Sequence, residues 1–195
     1  MASRQCQIVI VRHGETAWSR EGKHTGRTDV PLTEKGRDQA RLLAKRLVNR
    51  TFGRVLSSPL SRARETCELA GLSDRVEIRD ELLEWNYGAY EGRTTPEIRR
   101  ERPDWSLWRD GAPDGETATD VGARVDSMIA ELRDADSDIA VFAHGHVLRV
   151  LTARWLGLPP TEGRLFALST ATISILGYER ETAVIVRWND DGLLP

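Results

Sequence analysis

The sequence is poor in long apolar runs, in excess charge and in cysteine, and each shortage excludes a class of protein. The early apolar run at residues 8–11 is far shorter than a signal-peptide core or the roughly 18 apolar residues of a membrane span, which no later stretch approaches. Lysine and arginine number 28 against 30 acidic residues, so the chain lacks the basic surface of a sequence-independent nucleic-acid binder. Its two cysteines, Cys6 and Cys67, lack metal-type spacing. We therefore expect a cytoplasmic protein with no membrane or nucleic-acid partner and no metal or other cofactor.

The composition that remains suits a folded domain. Hydrophobic residues make up 39% and charged residues 30% of the 195 residues, a balance that can bury a core. No internal repeat, low-complexity tract or linker divides the chain. We expect a single domain over residues 1–195.

Short apolar, β-rich runs alternate with segments of helical periodicity. The patterns predict strands at 7–11, 54–57, 76–78 and 139–143, and helices at 32–49, 60–70, 95–102, 117–133 and 147–156. Residues 12–31 are predicted as loop, and 170–178 with 182–188 as a β-hairpin. This alternation predicts an α/β fold, a three-layer α/β/α domain with a mostly parallel central sheet.

Three of the four histidines directly follow two of these strands. His13 comes after the first strand, and His144 and His146 come after the strand at 139–143. In parallel sheets, ligands bind beyond the carboxyl ends of the strands. We therefore expect these three side chains to share one edge of the sheet.

Six ordered motifs extend this observation along nearly the whole chain. They are RHGETAW at 12–18, HTGRTDVPLTEKG at 24–36, SSPLSRARET at 57–66, LLEWNYGAYEG at 82–92, DGAPDGET at 110–117 and FAHGHVLR at 142–149. In these motifs the chain resembles the histidine phosphatase superfamily, in its phosphoglycerate-mutase-like branch. The resemblance implies a phosphoglycerate-mutase-like fold and phosphoryl transfer through a phosphohistidine.

The resemblance assigns catalytic roles to five residues. His13 matches the nucleophile, whose neutral imidazole attacks phosphorus. Arg12, Arg62 and His144 match the cationic group that holds the phosphoryl oxygens, for which His144 would have to be protonated. Glu84 matches the general acid that protonates the leaving oxygen and then deprotonates water.

A glutamate performs the first of these tasks only if its pKa is raised. The neighbours Trp85, Tyr87 and Tyr90 would supply the partly dry surroundings that raise it. We therefore expect better activity at mildly acidic pH.

The expected substrate-binding residues are Ser19, Thr25, Gly26, Tyr87, Gly145 and His146. Ser19 stands where mutase relatives carry asparagine, and the HGH of 144–146 resembles sugar-phosphate phosphatases. For Ser19, His146 and His24, which we place on a loop rim, simple solvated polarity is the alternative. Trp105 and Trp108 fit a pocket wall and a core equally well. A second phosphate or a carboxylate has five candidate partners, among which the sequence does not choose: Arg20, Lys23, Arg27, Arg93 and Arg109.

The favoured function is a phosphomonoester hydrolase acting on small phosphorylated metabolites, such as sugar phosphates. The alternative is a cofactor-dependent phosphoglycerate mutase; such relatives tend to be longer, with a mobile C-terminal tail over the site. Only residues 189–195 follow the last predicted strand here, which favours hydrolysis. The five matched residues disfavour a catalytically inactive regulatory protein, and a metal site on His144 and His146 lacks a third ligand at suitable spacing. A homodimer formed through the C-terminal hairpin remains open.

Overall fold

The computed structural model describes residues 6–192 and contains six strands and seven α-helices in that range. The strands are β1 (Ile8–Arg12), β2 (Arg54–Ser57), β3 (Val76–Ile78), β4 (Ile139–Ala143), β5 (Ile173–Glu179) and β6 (Thr182–Asp190). The helices are α1 (Ala17–Arg20), α2 (Glu34–Leu47), α3 (Ser61–Leu69), α4 (Thr95–Glu101), α5 (Leu107–Asp110), α6 (Ala118–Arg133) and α7 (Gly145–Trp155). The 3-10 turns are Asp80–Leu82, Gly88–Tyr90 and Pro160–Leu165.

The strands form one sheet in the order β3-β2-β4-β1-β5-β6. The first four are parallel to one another, and β5 and β6 add antiparallel pairs at the other side. The predicted mostly parallel sheet and the C-terminal hairpin are thus confirmed. Arg12 lies opposite Ala143 in the β1–β4 register, so the residues that follow these two strands leave the sheet side by side.

Alternate residues of the central strands face two separate hydrophobic cores. Ile8 and Ile10 of β1 pack in a core that includes residues of α6 and α7. Val9 and Val11 pack in a second core with residues of α2 and α3. Because successive strand residues point to opposite faces, this division produces the predicted three layers. Both cysteines are buried and free.

The structure differs from the sequence prediction in several places, among them the unpredicted short helix α5 and the later start of β5. The predicted loop 12–31 contains the short helix α1, which is capped by Thr16 and Ser19. Helix α7 begins at Gly145, two residues before the predicted start, because His144 directly after β4 is already its N-cap. Strand β6 continues through Asp190, so it takes up the start of the predicted tail, and residues 193–195 of that tail lie outside the described residues. None of the helices within 6–192 combines the length and apolar character needed to span a bilayer.

Candidate active site

A cavity of about 260 Å³ lies where β1 and β4 end. Most of the predicted site residues line it, namely Arg12, His13, Ser19, Thr25, Glu84, Tyr87, Gly145 and His146. Arg62, His144 and Gly26 are not among the lining residues. The expectation that the histidines after two strands share one edge of the sheet agrees with this arrangement: the rings of His13 and His144 are 5.2 Å apart.

His13 is buried and has one defined tautomer. Its Nδ1 lies 2.7 Å from the carbonyl oxygen of Gly14, and a carbonyl only accepts, so Nδ1 carries the hydrogen. Burial lowers the pKa of His13 well below its ordinary value, and the charges of Arg62 and Arg12 lower it further. The ring is therefore neutral, and Nε2 keeps a free electron pair.

His144 is also neutral in this structure, whereas the role of holding phosphoryl oxygens with added charge requires a protonated ring. Arg62 donates from Nε to His144 Nδ1 across 3.1 Å, and His144 Nε2 lies 2.7 Å from the hydroxyl of Ser58. Nδ1 accepts, so the hydrogen is on Nε2. Burial lowers the pKa of His144 well below its ordinary value, with further lowering by Arg62 and His13.

Arg62 lies behind the cavity wall, fully buried. Its guanidinium donates to the carbonyl oxygens of Thr28 (2.9 Å), Gly26 (2.9 Å) and Thr25 (3.1 Å), as well as to His144. It therefore holds the loop 25–28 against α3 while placing positive charge beneath the cavity.

Arg12 directly precedes His13 in the chain and also lines the cavity. Its Nη1 donates to the carbonyl oxygen of Leu168 across 2.5 Å. Its Nε is buried and has no hydrogen-bond partner among the described residues. Buried donors are nearly always paired in native proteins, so an unpaired guanidinium nitrogen beside a cavity suits an anionic ligand.

Glu84 is held by three backbone N–H groups. Oε1 accepts from Trp85 N and Val147 N, both at 2.9 Å, and Oε2 accepts from His146 N at 3.0 Å. Two of these donors belong to the first turn of α7, where helix N–H groups have no partner within the helix. The carboxylate therefore joins the loop after β3 to the N-terminus of α7 at the cavity wall. Trp85, Tyr87 and Tyr90 are buried, as expected.

The DGAPDGET motif supports the loop that carries Glu84. The carboxylate of Glu116 accepts a hydrogen bond from Asn86 N at 2.7 Å. The backbone carbonyl of Glu116 accepts one from the Trp85 indole N–H at 2.8 Å. Gly88 adopts a φ of +48°, and a Cβ there would collide with the backbone at Pro113. Thr117 has a simpler role, as the N-cap of α6.

Two histidines form an aromatic wall of the cavity with Tyr87. His146 Nδ1 lies 2.6 Å from the Tyr87 hydroxyl. His24 is 9% exposed rather than on a loop rim, because its ring packs 4.7 Å from Tyr87 and 5.6 Å from Trp105. Burial lowers the pKa of His24 to about 4. Trp105 is buried in the core, whereas Trp108 packs against His146 at 5.3 Å.

The predicted small substrate-binding residues already have partners within the protein. The hydroxyl of Ser19 caps α1 through Thr16, and that of Thr25 donates to the carbonyl oxygen of Lys23 at 3.1 Å. Gly26 donates its N–H to Glu91, and a Cβ there would lie 2.5 Å from the carbonyl oxygen of Trp85. Gly26 thus allows its loop to pack closely against the backbone at Trp85, and it does not line the cavity.

Of the five candidates for a second anion site, Lys23 alone lines this cavity. Three others have carboxylate partners: Arg27 with Glu116, Arg93 with Glu101 and Arg109 with Asp110. Arg149 also lines the cavity, although it was not among the residues predicted from the sequence. Its position three residues after His146, on the same face of one helix, is the signal that points to it.

The metal-site alternative finds no support in the described part of the chain. Within residues 6–192, no three histidine, cysteine, aspartate or glutamate side chains are grouped closely enough to hold a metal ion. The Nδ1 atoms of His144 and His146 are both engaged in hydrogen bonds.

Comparison with known proteins identifies the family. The profile described as histidine phosphatase superfamily (branch 1) matches residues 8–191. An acid phosphatase from Mycobacterium tuberculosis is 43% identical over 95% of this chain and 94% of its own length. Sedoheptulose 1,7-bisphosphatase from Saccharomyces cerevisiae is 39% identical over 81% of this chain and 70% of its own length. A probable phosphoglycerate mutase from Yersinia pestis is 32% identical over 93% of this chain and 89% of its own length.

A solved structure agrees with the sequence comparison. That of an open reading frame from Mycobacterium tuberculosis superposes with a TM-score of 0.90 at 41% identity, covering 96% of this chain and 98% of its own. The predicted fold and the predicted phosphatase class of enzyme are confirmed. The chain belongs to the histidine phosphatase superfamily, in its branch 1.

Proposed function

We propose that this phosphatase hydrolyses phosphomonoesters of small metabolites, such as sugar phosphates, through a phosphohistidine on His13. The observation that carries the proposal is the pairing of two groups in one cavity. One is the neutral His13 with its hydrogen fixed on Nδ1, and the other is the guanidinium of Arg12, whose Nε has no hydrogen-bond partner in the described structure. The first is a nucleophile and the second is a partner for phosphoryl oxygens. The names of the acid phosphatase and bisphosphatase relatives support the substrate class.

In the first step, the Nε2 electron pair of His13 attacks phosphorus and the ester P–O bond breaks. The leaving oxygen takes a proton from Glu84, so an alcohol departs rather than an alkoxide. Arg12 binds the equatorial oxygens, while the positive charge of Arg62 lies beneath them. The bond from Nδ1 to Gly14 holds the imidazole in its attacking orientation.

In the second step, water attacks the phosphohistidine. Glu84 takes a proton from the water, the P–N bond breaks, and its electron pair returns to Nε2 of His13. Inorganic phosphate leaves, and the neutral His13 and protonated Glu84 are restored. Thr25, Tyr87, Gly145 and His146 line the space in which the alcohol part of the substrate would lie.

The mutase alternative shares the first step, but the phosphoryl group then passes to a second metabolite. The acid phosphatase relative, at 43% identity, favours hydrolysis. The products separate the two reactions, because a phosphatase releases inorganic phosphate and a mutase yields an isomerised ester.

The decisive experiment compares the wild type with His13→Ala. We expect brief mixing with labelled substrate to leave an acid-labile phosphoryl group on the wild type, and the variant to carry no label and release no phosphate. Circular dichroism and thermal melting check that the variant is folded. Turnover by folded His13→Ala would refute the nucleophile.

Three further predictions concern the protein as a whole. We infer a single histidine-phosphatase-type domain over residues 1–195, a cytoplasmic location and a chain that is able to form a homodimer. Limited proteolysis, cell fractionation and light scattering measure these three properties.

A further inference from the structure

The guanidinium of Arg149 is fixed at the cavity from three sides. It extends from α7, and its Nε donates to the carbonyl oxygen of Gly163 at 3.1 Å. Nη2 donates to the carbonyl oxygen of Arg164 at 3.2 Å. The guanidinium carbon lies 4.6 Å from the centroid of a Trp108 ring, a cation–π contact. A long, flexible side chain is thereby held in one orientation.

This positive charge has no ion-pair partner. Within the described chain, Arg149 makes no salt bridge, although Arg154 on the same helix pairs with Asp126. Burial lowers the pKa of Arg149, and the nearby charge of Glu84 raises it. The carboxylate of Glu84 is itself occupied by three backbone donors. A half-buried cation of this kind is stabilised by an anion that the protein does not supply.

The hydrogen bonds of Arg149 leave donors for such an anion. A guanidinium has five N–H groups in a planar fork. In the described structure Nε and Nη2 each make one bond to a carbonyl, so three N–H groups remain, two on Nη1 and one on Nη2. One N–H from each of these two nitrogens together matches the two oxygens of a carboxylate or phosphate.

We propose that Arg149 binds a second anionic group of the substrate, a phosphate or a carboxylate, while Arg12 binds the reacting phosphoryl group. The inference rests on the proposed function and narrows its substrate class to bis-anionic metabolites. Both guanidiniums line the same cavity of about 260 Å³. That volume is just below the roughly 300–1,000 Å³ of typical ligand pockets, so it suits a small metabolite.

Lys23 is the third cationic side chain that lines the cavity, and it is the weaker candidate for the second anionic group. Its ammonium lies 2.7 Å from Glu21, and the two side chains are 33% and 46% exposed. A charge that is already paired and solvated gains little from a further anion. Arg149 has neither a paired carboxylate nor a fully solvated position.

The test compares matched substrates on the wild type and on Arg149→Met, which keeps chain length but removes the charge. The pairs are fructose 6-phosphate with fructose 1,6-bisphosphate, and glycerol 3-phosphate with 3-phosphoglycerate. We expect the wild type to prefer the bis-anionic member at least tenfold in kcat/KM. Arg149→Met should lower kcat/KM for that member about 10- to 100-fold and for the mono-anionic member less than about threefold. Arg149→Lys retains the charge but not the planar guanidinium. Its kcat/KM for the bis-anionic member should lie between those of the wild type and Arg149→Met.

Arg164→Met is the matched control, because Arg164 is a neighbouring arginine whose side chain pairs with Glu162 instead. It should leave the preference unchanged. The inference is overturned if the wild type prefers neither bis-anion, if Arg149→Met keeps the preference, or if folded Arg149→Met loses activity equally on both members of a pair. Failure of the wild type to release phosphate from all four compounds and from p-nitrophenyl phosphate would overturn the proposed function, and this inference with it.

Discussion

The hydroxyl of Tyr87 is hydrogen-bonded to Nδ1 of His146 across 2.6 Å. Burial raises the pKa of Tyr87 well above its ordinary value, so the hydroxyl keeps its proton. Burial lowers the pKa of His146 well below its ordinary value, so the ring is neutral. A bond of this length between two neutral groups fixes the orientation of the His146 ring. His146 is therefore held in one position at a wall of the cavity.

Tyr87→Phe removes this bond and keeps the ring. We expect kcat/KM for a sugar phosphate to fall about 3- to 10-fold, chiefly through KM, since one neutral hydrogen bond contributes about 0.5–1.5 kcal/mol. Steady-state kinetics measure the effect. Tyr90→Phe is the matched control, because the hydroxyl of Tyr90 binds Arg102 instead. Equal losses in the two variants would contradict the role of Tyr87.

Glu84→Gln removes the proposed proton donor with little change of shape. We expect kcat/KM for an alkyl phosphate, which reports the first step and not the later hydrolysis, to fall about 10²- to 10⁴-fold, the usual contribution of general acid–base catalysis. The loss should be smaller for p-nitrophenyl phosphate, because p-nitrophenolate leaves without protonation. Glu81→Gln is the control, since Glu81 pairs with Arg79. Equal losses on both substrates would argue that Glu84 acts only through the hydrogen bonds that position it.

Arg62→Lys keeps the positive charge but not the network of four hydrogen bonds. We expect the free energy of unfolding to fall by roughly 2–4 kcal/mol, because buried carbonyls and His144 lose their donors. Urea denaturation measures the change, with the exposed Arg64→Lys of the same helix as control. Unchanged stability together with lost activity would show that Arg62 acts on the phosphoryl group rather than on the loop 25–28.

Stability should decrease as the pH falls below about 6.5, in part because of His24. Its pKa is about 4 in the folded protein and about 6.5 when unfolded, so between these values the unfolded chain binds more protons. The contribution of neutral His24 is therefore present above pH 6.5 and is lost towards pH 4. The linkage amounts to about 2 kcal/mol between pH 7 and pH 5. His24→Gln should reduce the pH dependence of urea unfolding by about that amount, and an unchanged dependence would contradict the assignment.

Activity should be higher at pH 5 than at pH 7.5. Departure of the alcohol in the first step consumes a proton, and a lower pH makes protons more available. The lowered pKa of His13 keeps the nucleophile neutral in the same range, so acid does not inactivate it at the ordinary histidine pKa. A pH profile of kcat/KM for an alkyl phosphate measures this. A flat profile from acid to neutral pH would contradict it.

Most of the fold and part of the site could be predicted from the sequence. Continuous apolar, β-rich runs placed β1 and β4, and the capping signal at Thr117 and Asp120 placed α6, because full burial and helix starts are both written locally in the sequence. Helix α1 was missed, since its four residues are too short to show a period. The strand ends brought His13 and His144 to one edge because parallel strands in register end together.

The sequence by itself determined the order of strands and helices, the edge of the sheet where the histidines gather, and the identity of Arg12, His13 and Glu84 as candidates. Only the tertiary structure decided how these groups are charged and where their hydrogen bonds go. Arg62 reaches His144 across 82 positions of the chain, and burial together with that contact keeps the His144 ring neutral. The place of Arg149 at the cavity was also decided by tertiary contacts. Trp108 and the turn at 160–165, which are distant in sequence, hold its guanidinium there. Protonation and orientation depend on burial and on partners distant in sequence, and folding brings these together.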